Sequence, residues 1–263
     1  MLCKTPEKAA FKTALLLLLP SALLNSNLGH SIPVKTLPVN FSRSALVRDT
    51  ADKAVLASLA APVARKISLN RHVASFVKLY IKKEAEFLAK MEIRSDRYFP
   101  VIEKIFNRFD LPVQLKYLAI VESKLNPKAL SPAGARGLWQ LMPFTARDLG
   151  LKVTGKTDER ISTYTSTVAA AKYLKDLFEL YGDWLLVLAA YNSGPGAVNT
   201  AIKKSGSRNF WALQRFLPAE SRGHVRRFIG VHYHFEGEGS IVTQTKAEAK
   251  AWEEQLSENV VVR

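Results

Sequence analysis

An apolar stretch at residues 184–192, WLLVLAAYN, places the strongest constraint on the fold of this chain. Its side chains are apolar on every face of a helix, so such a helix must be buried on all sides. The stretch is too short to span a bilayer, which takes about 20 residues. Asp183 precedes it and the turn NSGPG interrupts it. We therefore predict a core helix that begins after Asp183 and breaks at this turn.

Apolar residues recur at helical spacing along most of the chain from residue 70 onward. Ser95 and Asp96 are predicted to cap one of these helices, and Ser166 or Thr167 a later one. Strand signals are nearly absent, so the predicted fold class is all-α. The predicted stripes are Val73, Phe76, Val77, Tyr80, Ile81, Phe87, Leu88 and Met91, then Phe99, Ile102, Ile105, Phe106 and Phe109, then Ala170, Tyr173, Leu174, Leu177 and Phe178.

The N-terminal segment has the order of a secretory signal. Lys4, Lys8 and Lys12 precede the apolar run ALLLLLPSALL at 14–24, and polar and small residues follow. This order predicts export to the periplasm or outer cell envelope. No clean small-x-small cleavage site is present, so an N-terminal segment retained as a membrane anchor is the alternative.

The remaining chain divides by composition and periodicity. We predict a signal peptide or anchor at 1–30, a linker and helical extension at 31–94, a main globular domain at 95–235 and a C-terminal tail at 236–263. The tail has a Gly-rich break followed by an acidic, alanine-rich helical stretch.

The net charge of +15 draws the chain toward polyanions, which include nucleic acid, anionic lipid and carboxylate-rich polymers. No nucleic-acid motif and no dense basic block with interleaved aromatics is present, so nucleic acid is a minor alternative. Cys3 is the only cysteine, which excludes an intrachain disulfide and a cysteine metal site. His232 and His234 have no acidic cluster or third ligand that would support a metal site.

A helix predicted from Leu111 to about Lys124 carries Glu122. Leu115, Leu118 and Glu122 stand at i, i+3 and i+7, so the glutamate projects from an apolar face. A general acid must keep its proton near neutral pH, and apolar surroundings favour the neutral form of a carboxyl. Glu122 is thus the candidate acid. The alternative is a helix-end glutamate in a salt bridge with Lys124.

Residues 111 to about 235 resemble a family 1 (Slt-type) lytic transglycosylase domain, and within that group the membrane-bound lytic murein transglycosylase D branch. The resemblance lies in motifs that occur in the family's order and spacing. They are IVES at 120–123, SPAGARGLWQLMPFTA at 131–146, AAYNSGPG at 189–196, and the lead-in SDRYFPVIEKIF before LPVQLKYLAIVES.

The resemblance implies a goose-lysozyme-like helical fold and a cofactor-free enzyme acting on peptidoglycan. It implies cleavage of the β-1,4 bond between N-acetylmuramic acid and N-acetylglucosamine, with a 1,6-anhydro product and Glu122 as the single acid and base. Two-carboxylate glycosidases need a second, ionised acid. Asp158, Glu159 and Glu220 are poor candidates for it, so lysozyme-type hydrolysis is a weaker alternative. A non-catalytic glycan-binding protein on the same fold is another.

The resemblance also implies substrate-binding residues. Ser131 corresponds to a serine that orients the sugar, and its alternative role is in a turn. Gln140 corresponds to a cleft glutamine. Tyr191 and Asn192 correspond to the family's Tyr-Asn pair, and Asn192 could instead serve only to end a helix. Trp139 is as well suited to core packing as to sugar stacking.

One block departs from the branch pattern. The branch has Glu-Thr-x-x-Tyr-Val, whereas this chain reads ESRGHV and places His224 at the tyrosine position. We expect His224 to be a site residue that makes a hydrogen bond, although an imidazole changes charge near about pH 6 to 7. The alternative is a solvent-exposed histidine, with Tyr233 covering the site.

Overall fold

The computed structural model describes residues 66–261, and this part of the chain is helical. Pairing of extended residues within it is limited to isolated bridges near residues 130–141 and 153–158. The all-α prediction is confirmed. The helices are α1 Arg71–Lys83, α2 Ala85–Ser95, α3 Phe99–Arg108, α4 Leu118–Ser123, α5 Pro143–Asp148, α6 Thr163–Tyr181, α7 Trp184–Ser205, α8 Phe210–Leu213, α9 Ala219–Glu236 and α10 Lys246–Val261.

The centre of the fold is α7, as the apolar stretch predicts. Residues 185–190 are completely buried. Asp183 caps the helix, and its Oδ1 accepts hydrogen bonds from the backbone N–H groups of Leu185 and Leu186 at 3.0 and 3.2 Å. Gly194 has φ 78° and ψ 157°, so the helical run is two helices joined at a kink. The predicted break at NSGPG is confirmed.

Helix α9 connects the core helix to the rest of the domain. It packs against α7, against α1 and against the short helix α4. Its approach to α1 is close, because a Cβ added at Gly230 would lie 2.6 Å from Cδ1 of Tyr80. Helix α6 packs against α7 and α3. The helical extension before residue 95 is therefore packed directly on α9.

Two predicted helix starts are wrong. Ser95 is the last residue of α2 and its hydroxyl donates to the carbonyl of Glu92, while α3 begins at Phe99 without a side-chain cap. Ser166 and Thr167 lie inside α6, which begins one turn earlier behind Ser162. In each case the hydroxyl donates to a backbone carbonyl three or four residues earlier instead of capping the next helix. The local sequence is compatible with either role.

The predicted helix from Leu111 to about Lys124 is only partly right. A 3₁₀ turn spans Val113–Tyr117, and the α-helix is confined to α4. Lys124, with φ 56°, ends it in the left-handed conformation. Leu115 and Leu118 are fully buried, as predicted.

The C-terminal tail forms α10, in agreement with the predicted helical stretch. The signal, the linker and the extension up to residue 65 lie outside the described residues. None of the helices described is long and apolar enough to cross a membrane.

His232 is an ionisable group buried inside α9. Its side chain is inaccessible to solvent, and its Nε2 lies 2.7 Å from the hydroxyl of Ser240. Burial lowers the pKa of His232 to about 4, and the positive charge of Lys116 adds to the lowering, whereas the backbone of Glu238, as a hydrogen-bond acceptor, opposes it. The imidazole is thus neutral in the folded protein at neutral pH.

We predict that His232 makes the fold sensitive to mild acid. Its pKa is lower in the folded state than in the unfolded state, so the unfolded state binds more protons between about pH 6.5 and 4. Its contribution to stability is complete above this window and is lost as the pH falls through it, by on the order of 3 kcal/mol.

The measurement is urea unfolding of the wild type and of His232→Gln across this pH window. The fall in unfolding free energy should be clearly smaller in the variant, whose amide does not titrate. An equal fall in both proteins would show that other groups cause the acid sensitivity.

Candidate active site

Glu122 lies in the last turn of α4, at the point where the chain leaves the helix. Its side chain is only 13% exposed, and Leu118, one turn earlier, is fully buried. Arg94 of α2 donates from Nη1 to the carbonyl of Lys124 at 2.8 Å, which ties the end of α4 to the helical extension. The carboxyl group therefore stands at the edge of the core rather than free in solvent.

The carboxyl of Glu122 contacts His224 of α9. Nε2 of the imidazole is 2.8 Å from Oε1 of the glutamate, and the histidine side chain is 3% exposed. A neutral imidazole either donates Nε2–H to the carboxylate or accepts the proton of the carboxylic acid. Within the described part of the chain, Nδ1 of His224 is buried without a hydrogen-bond partner. His224 is thus buried against the candidate acid, and the interpretation as a solvent-exposed histidine is wrong.

Tyr191 lies close to the same carboxyl. Its hydroxyl donates to the backbone carbonyl of Trp139 at 2.8 Å, and its ring packs on Tyr173 with centroids 5.4 Å apart. Burial raises the pKa of the Tyr191 hydroxyl well above its usual range, and the nearby negative charge of Glu122 adds to the rise. Tyr191 therefore keeps its proton and links the core helix to the loop that contains Trp139.

Asn192 connects α7 to α9. Its Oδ1 accepts a hydrogen bond from the hydroxyl of Ser221 at 2.9 Å. Ser221 is fully buried and stands one turn before His224. This bond fixes the turn of α9 that carries the histidine. Ser221 was not among the residues predicted from sequence, although its spacing of three residues from His224 places the two on one helix face.

Ser131 and Gln140 organise the loop between α4 and α5. The hydroxyl of Ser131 accepts from the backbone N–H of Ala135 at 3.0 Å, as expected for a turn serine. The amide nitrogen of Gln140 donates to the carbonyls of Gly137 and Ala129 at 2.9 and 3.3 Å. Both side chains are half-buried, and their contact with a sugar stays a prediction.

Trp139 belongs to the core. It is fully buried, its ring packs on Phe106, and its indole nitrogen donates to the hydroxyl of Thr167 at 2.9 Å. Of the two interpretations from sequence, core packing is the one that the structure supports. Its backbone carbonyl still contributes to the site, since it accepts the hydrogen bond from Tyr191.

The three other acids considered from sequence, Asp158, Glu159 and Glu220, do not share the environment of Glu122. Hydrogen bonds from Arg160 hold the pKa of the Asp158 carboxyl below its usual range. A carboxylate oxygen of Glu159 accepts the backbone N–H of Lys152 at 2.6 Å. Glu220 is exposed in the first turn of α9. The described residues contain no group of three or more His, Cys, Asp or Glu side chains arranged to hold a metal.

The sequence of residues 101–214 matches the family described as transglycosylase SLT domain. We call residues 101–214 the SLT domain after this match. Glu122, Ser131, Gln140, Tyr191 and Asn192 lie inside this match, whereas His224 lies beyond its end. The helical extension before residue 101 also lies outside it.

Two proteins named as lytic murein transglycosylases are similar to this chain in sequence. The chain is 37% identical over 157 residues to membrane-bound lytic murein transglycosylase D of Escherichia coli strain K12, covering 58% of this chain and 34% of that protein. It is 33% identical over 132 residues to the soluble lytic murein transglycosylase of Salmonella typhimurium, covering 46% of this chain and 20% of that protein. The chain thus spans about a third or less of the length of these relatives.

A solved structure has the same fold. The 70-kDa soluble lytic transglycosylase in complex with bulgecin A superposes with a TM-score of 0.50 at 23% identity, over 65% of this chain and 32% of that chain. The predicted lysozyme-like helical fold is confirmed by this likeness.

Arg160 supports the loop between α4 and α5 through hydrogen bonds. Its role was not predicted from the sequence. Its side chain is buried, and its Nη1 donates to the carbonyls of Gly134 and Leu141 at 2.8 and 2.9 Å. Nε and Nη2 bind the two carboxylate oxygens of Asp158. A buried Asp–Arg pair two residues apart satisfies both charges inside the fold. No local pattern distinguishes Arg160 from the many exposed basic residues of this chain.

Gly137 allows the loop to approach Arg160. A Cβ at this position would lie 1.9 Å from the carbonyl oxygen of Arg160, and the residue has φ +86°. Gly134 has the same φ, but a Cβ there would meet no atom within 4 Å. Of the two glycines, only Gly137 is therefore required by a close backbone approach.

We predict that alanine is tolerated differently at these two glycines. Gly134→Ala should lower the unfolding free energy by about 1 kcal/mol, the cost of a left-handed alanine. Gly137→Ala should cost at least about 2 kcal/mol more, because the backbone itself must move. Urea unfolding of both variants measures this difference. Equal losses would contradict the close approach at Arg160.

Proposed function

We propose that this protein is a lytic transglycosylase that cleaves the β-1,4 bond between N-acetylmuramic acid and N-acetylglucosamine in peptidoglycan. The SLT domain and the names of the relatives support the class of enzyme. The observation that carries the proposal is the nearly buried carboxyl of Glu122, held 2.8 Å from the imidazole of His224. The proposed catalytic domain is residues 95–235.

Glu122 acts first as acid and then as base. The protonated carboxyl gives its proton to the glycosidic oxygen as the bond from that oxygen to the muramoyl C1 breaks. The resulting carboxylate takes the proton of the C6 hydroxyl of the same sugar. The C6 oxygen then bonds to C1, which forms the 1,6-anhydro ring and restores the protonated acid. No water is consumed, and the second carboxylate of a two-acid glycosidase is not needed.

His224 positions the acid in this proposal. An imidazole bonded to one carboxyl oxygen restricts rotation of the side chain, and the buried bond from Ser221 to Asn192 restricts the turn of α9 that carries it. Tyr191 lies near the same carboxyl and keeps its proton. We propose that three residues contact the sugar in addition to their structural roles. Ser131 and Gln140 also organise the loop between α4 and α5, and Asn192 also joins α7 to α9.

The proposed location is the periplasm or the outer cell envelope, which the predicted signal and the substrate both require. The net charge of +15 favours a polymer whose peptide stems carry carboxylates, and it also favours association with an anionic membrane surface.

We predict that Glu122→Gln abolishes cleavage while glycan binding is retained. The amide keeps the shape of the side chain and can bond His224, but it has no proton to transfer. The rate of release of soluble fragments from purified sacculi should fall by about 10²- to 10⁴-fold, the usual worth of a general acid–base group.

Glu220→Gln is the matched control, because it removes an exposed acid from α9 and should leave the rate unchanged. Unchanged lysis by Glu122→Gln would remove Glu122 from the mechanism. Failure of the wild type to release fragments, with glycan binding intact, would favour a non-catalytic binding protein.

We predict that the hydrogen bond from His224 positions the acid. Glutamine at this position can replace the hydrogen bond to Glu122, whereas alanine cannot. The rate of release of soluble fragments from sacculi should therefore fall by about tenfold in His224→Ala and by less in His224→Gln. Equal rates in the two variants would contradict a positioning role for His224.

A further inference from the structure

A cavity of about 300 Å³ lies between α4 and α9 on one side and the helical extension on the other. One wall is formed by α4 and α9, with Lys124 and Arg227 contributing side chains. The opposite wall is formed by Tyr80, Glu84 and Phe87, around the junction of α1 and α2. The volume is within the range of small-ligand sites, which begins at about 300 Å³.

The cavity lies beside the turn of α4 that carries the candidate acid. Val121 and Lys124, which line it, stand on either side of Glu122 in the chain. Arg227 stands one turn after His224 on α9. Its Nη1 lies 3.1 Å from the position that a Cβ of Gly223 would occupy, so the guanidinium extends back toward the turn that carries His224. A ligand that reaches Glu122 can therefore place a substituent in this cavity.

Positive charge exceeds negative charge in the lining of the cavity. Within the described residues, neither Lys124 nor Arg227 forms an ion pair. Nζ of Lys124 lies over the ring of Phe87 at 5.7 Å. Glu84 is the only acid in the lining, so two positive groups face one negative group. A planar guanidinium beside an ammonium suits a carboxylate, which can accept hydrogen bonds on both oxygens.

The aromatic residues add a second kind of contact. Tyr80 and Phe87 are half-buried and present apolar surface to the cavity. Glu84 can accept N–H groups of a bound peptide. The cavity thus offers two cations, one hydrogen-bond acceptor and two aromatic rings. This combination fits a short peptide with a carboxylate better than it fits an uncharged sugar.

We propose that this cavity is a subsite for a carboxylate borne by the glycan strand, with Arg227 and Lys124 binding the carboxylate and Tyr80 and Phe87 packing on the group that bears it. The proposal rests on the proposed function, because it takes peptidoglycan as the ligand. The carboxylate is one of the peptide stem in a peptide-bearing strand, where the lactyl carboxyl is in an amide bond, or the free lactyl carboxylate of muramic acid in a strand without peptide. The helical extension is thereby part of the substrate-binding unit.

The test is ligand binding by calorimetry, with Glu122→Gln as the background so that no ligand is cleaved. The ligands are a peptide-bearing glycan fragment, the same fragment with its carboxylates amidated, and a peptide-free fragment with a free lactyl carboxylate. The test variant carries Lys124→Gln and Arg227→Gln. The matched control carries Lys203→Gln and Lys204→Gln, which remove the same charge at the exposed end of α7.

The test variant should bind the peptide-bearing fragment about tenfold more weakly, as expected when hydrogen bonds to a charged group are lost. Its affinity for the amidated fragment should equal that of the background, and the control should bind all ligands as the background does. A loss on the peptide-free fragment as well would show that the subsite also accepts the free lactyl carboxylate of a strand without peptide. No loss on that fragment would restrict the subsite to carboxylates of the peptide. Arg227→Lys, which keeps the charge, should recover part of the affinity.

Equal losses on the carboxylate and amidated fragments would overturn the proposal, and so would unchanged binding of the peptide-bearing fragment. Neither result bears on whether the wild type cleaves glycan, because binding is measured without turnover. Conversely, a wild type that releases no anhydro product would remove the proposed reaction and leave the charge preference of the cavity measurable.

Discussion

The contact between Glu122 and His224 joins the short helix α4 to α9, about a hundred residues later in the chain. Both side chains are almost withdrawn from solvent. A carboxyl and an imidazole in such a place must satisfy each other, because a buried ionisable group without a partner is costly. The surrounding contacts maintain this pair. Arg94 holds the end of α4, and the bond from Ser221 to Asn192 holds the turn of α9.

This arrangement explains how a domain with one candidate acid can be organised for catalysis. The core helix α7 supplies Tyr191 and Asn192 from its last turns before the kink at Gly194. Tyr191 reaches the loop after α4 through the carbonyl of Trp139, and Arg160 supports that loop from the other side. The acid is therefore surrounded by parts of the chain that are each fixed to the core. A rigid frame of this kind favours precise placement of the substrate.

Periodicity and composition were sufficient to predict the helical class and the buried helix α7, because an all-apolar run permits few environments. Asp183 was also recognisable, since a capping residue directly before such a run is a strong local signal. Glu122 could be selected from the apolar face around it and from the motif IVES. The departure at His224 was visible in the sequence, but only the fold shows that its ring is buried against the carboxyl.

Other features depend on contacts between distant segments and could not be inferred locally. The 3₁₀ turn before α4, the hydroxyls of Ser95 and Ser166 bonded within their own helices, and the buried role of Arg160 all belong to this group. The cavity between the helical extension and helices α4 and α9 is a further case. Its lining comes from three segments, residues 80–87, 120–124 and 227–231, which are far apart in the chain. Each segment alone resembles an ordinary helix surface.

The central claim is that a single carboxyl group performs the cleavage with an oxygen of the substrate itself as the nucleophile. Digestion of purified sacculi in water enriched in ¹⁸O, followed at once by mass spectrometry of the released fragments, tests it most directly. The account predicts muramoyl ends in the 1,6-anhydro form with no ¹⁸O at C1. Reducing ends that carry ¹⁸O at C1 would show that water is the nucleophile and would contradict it.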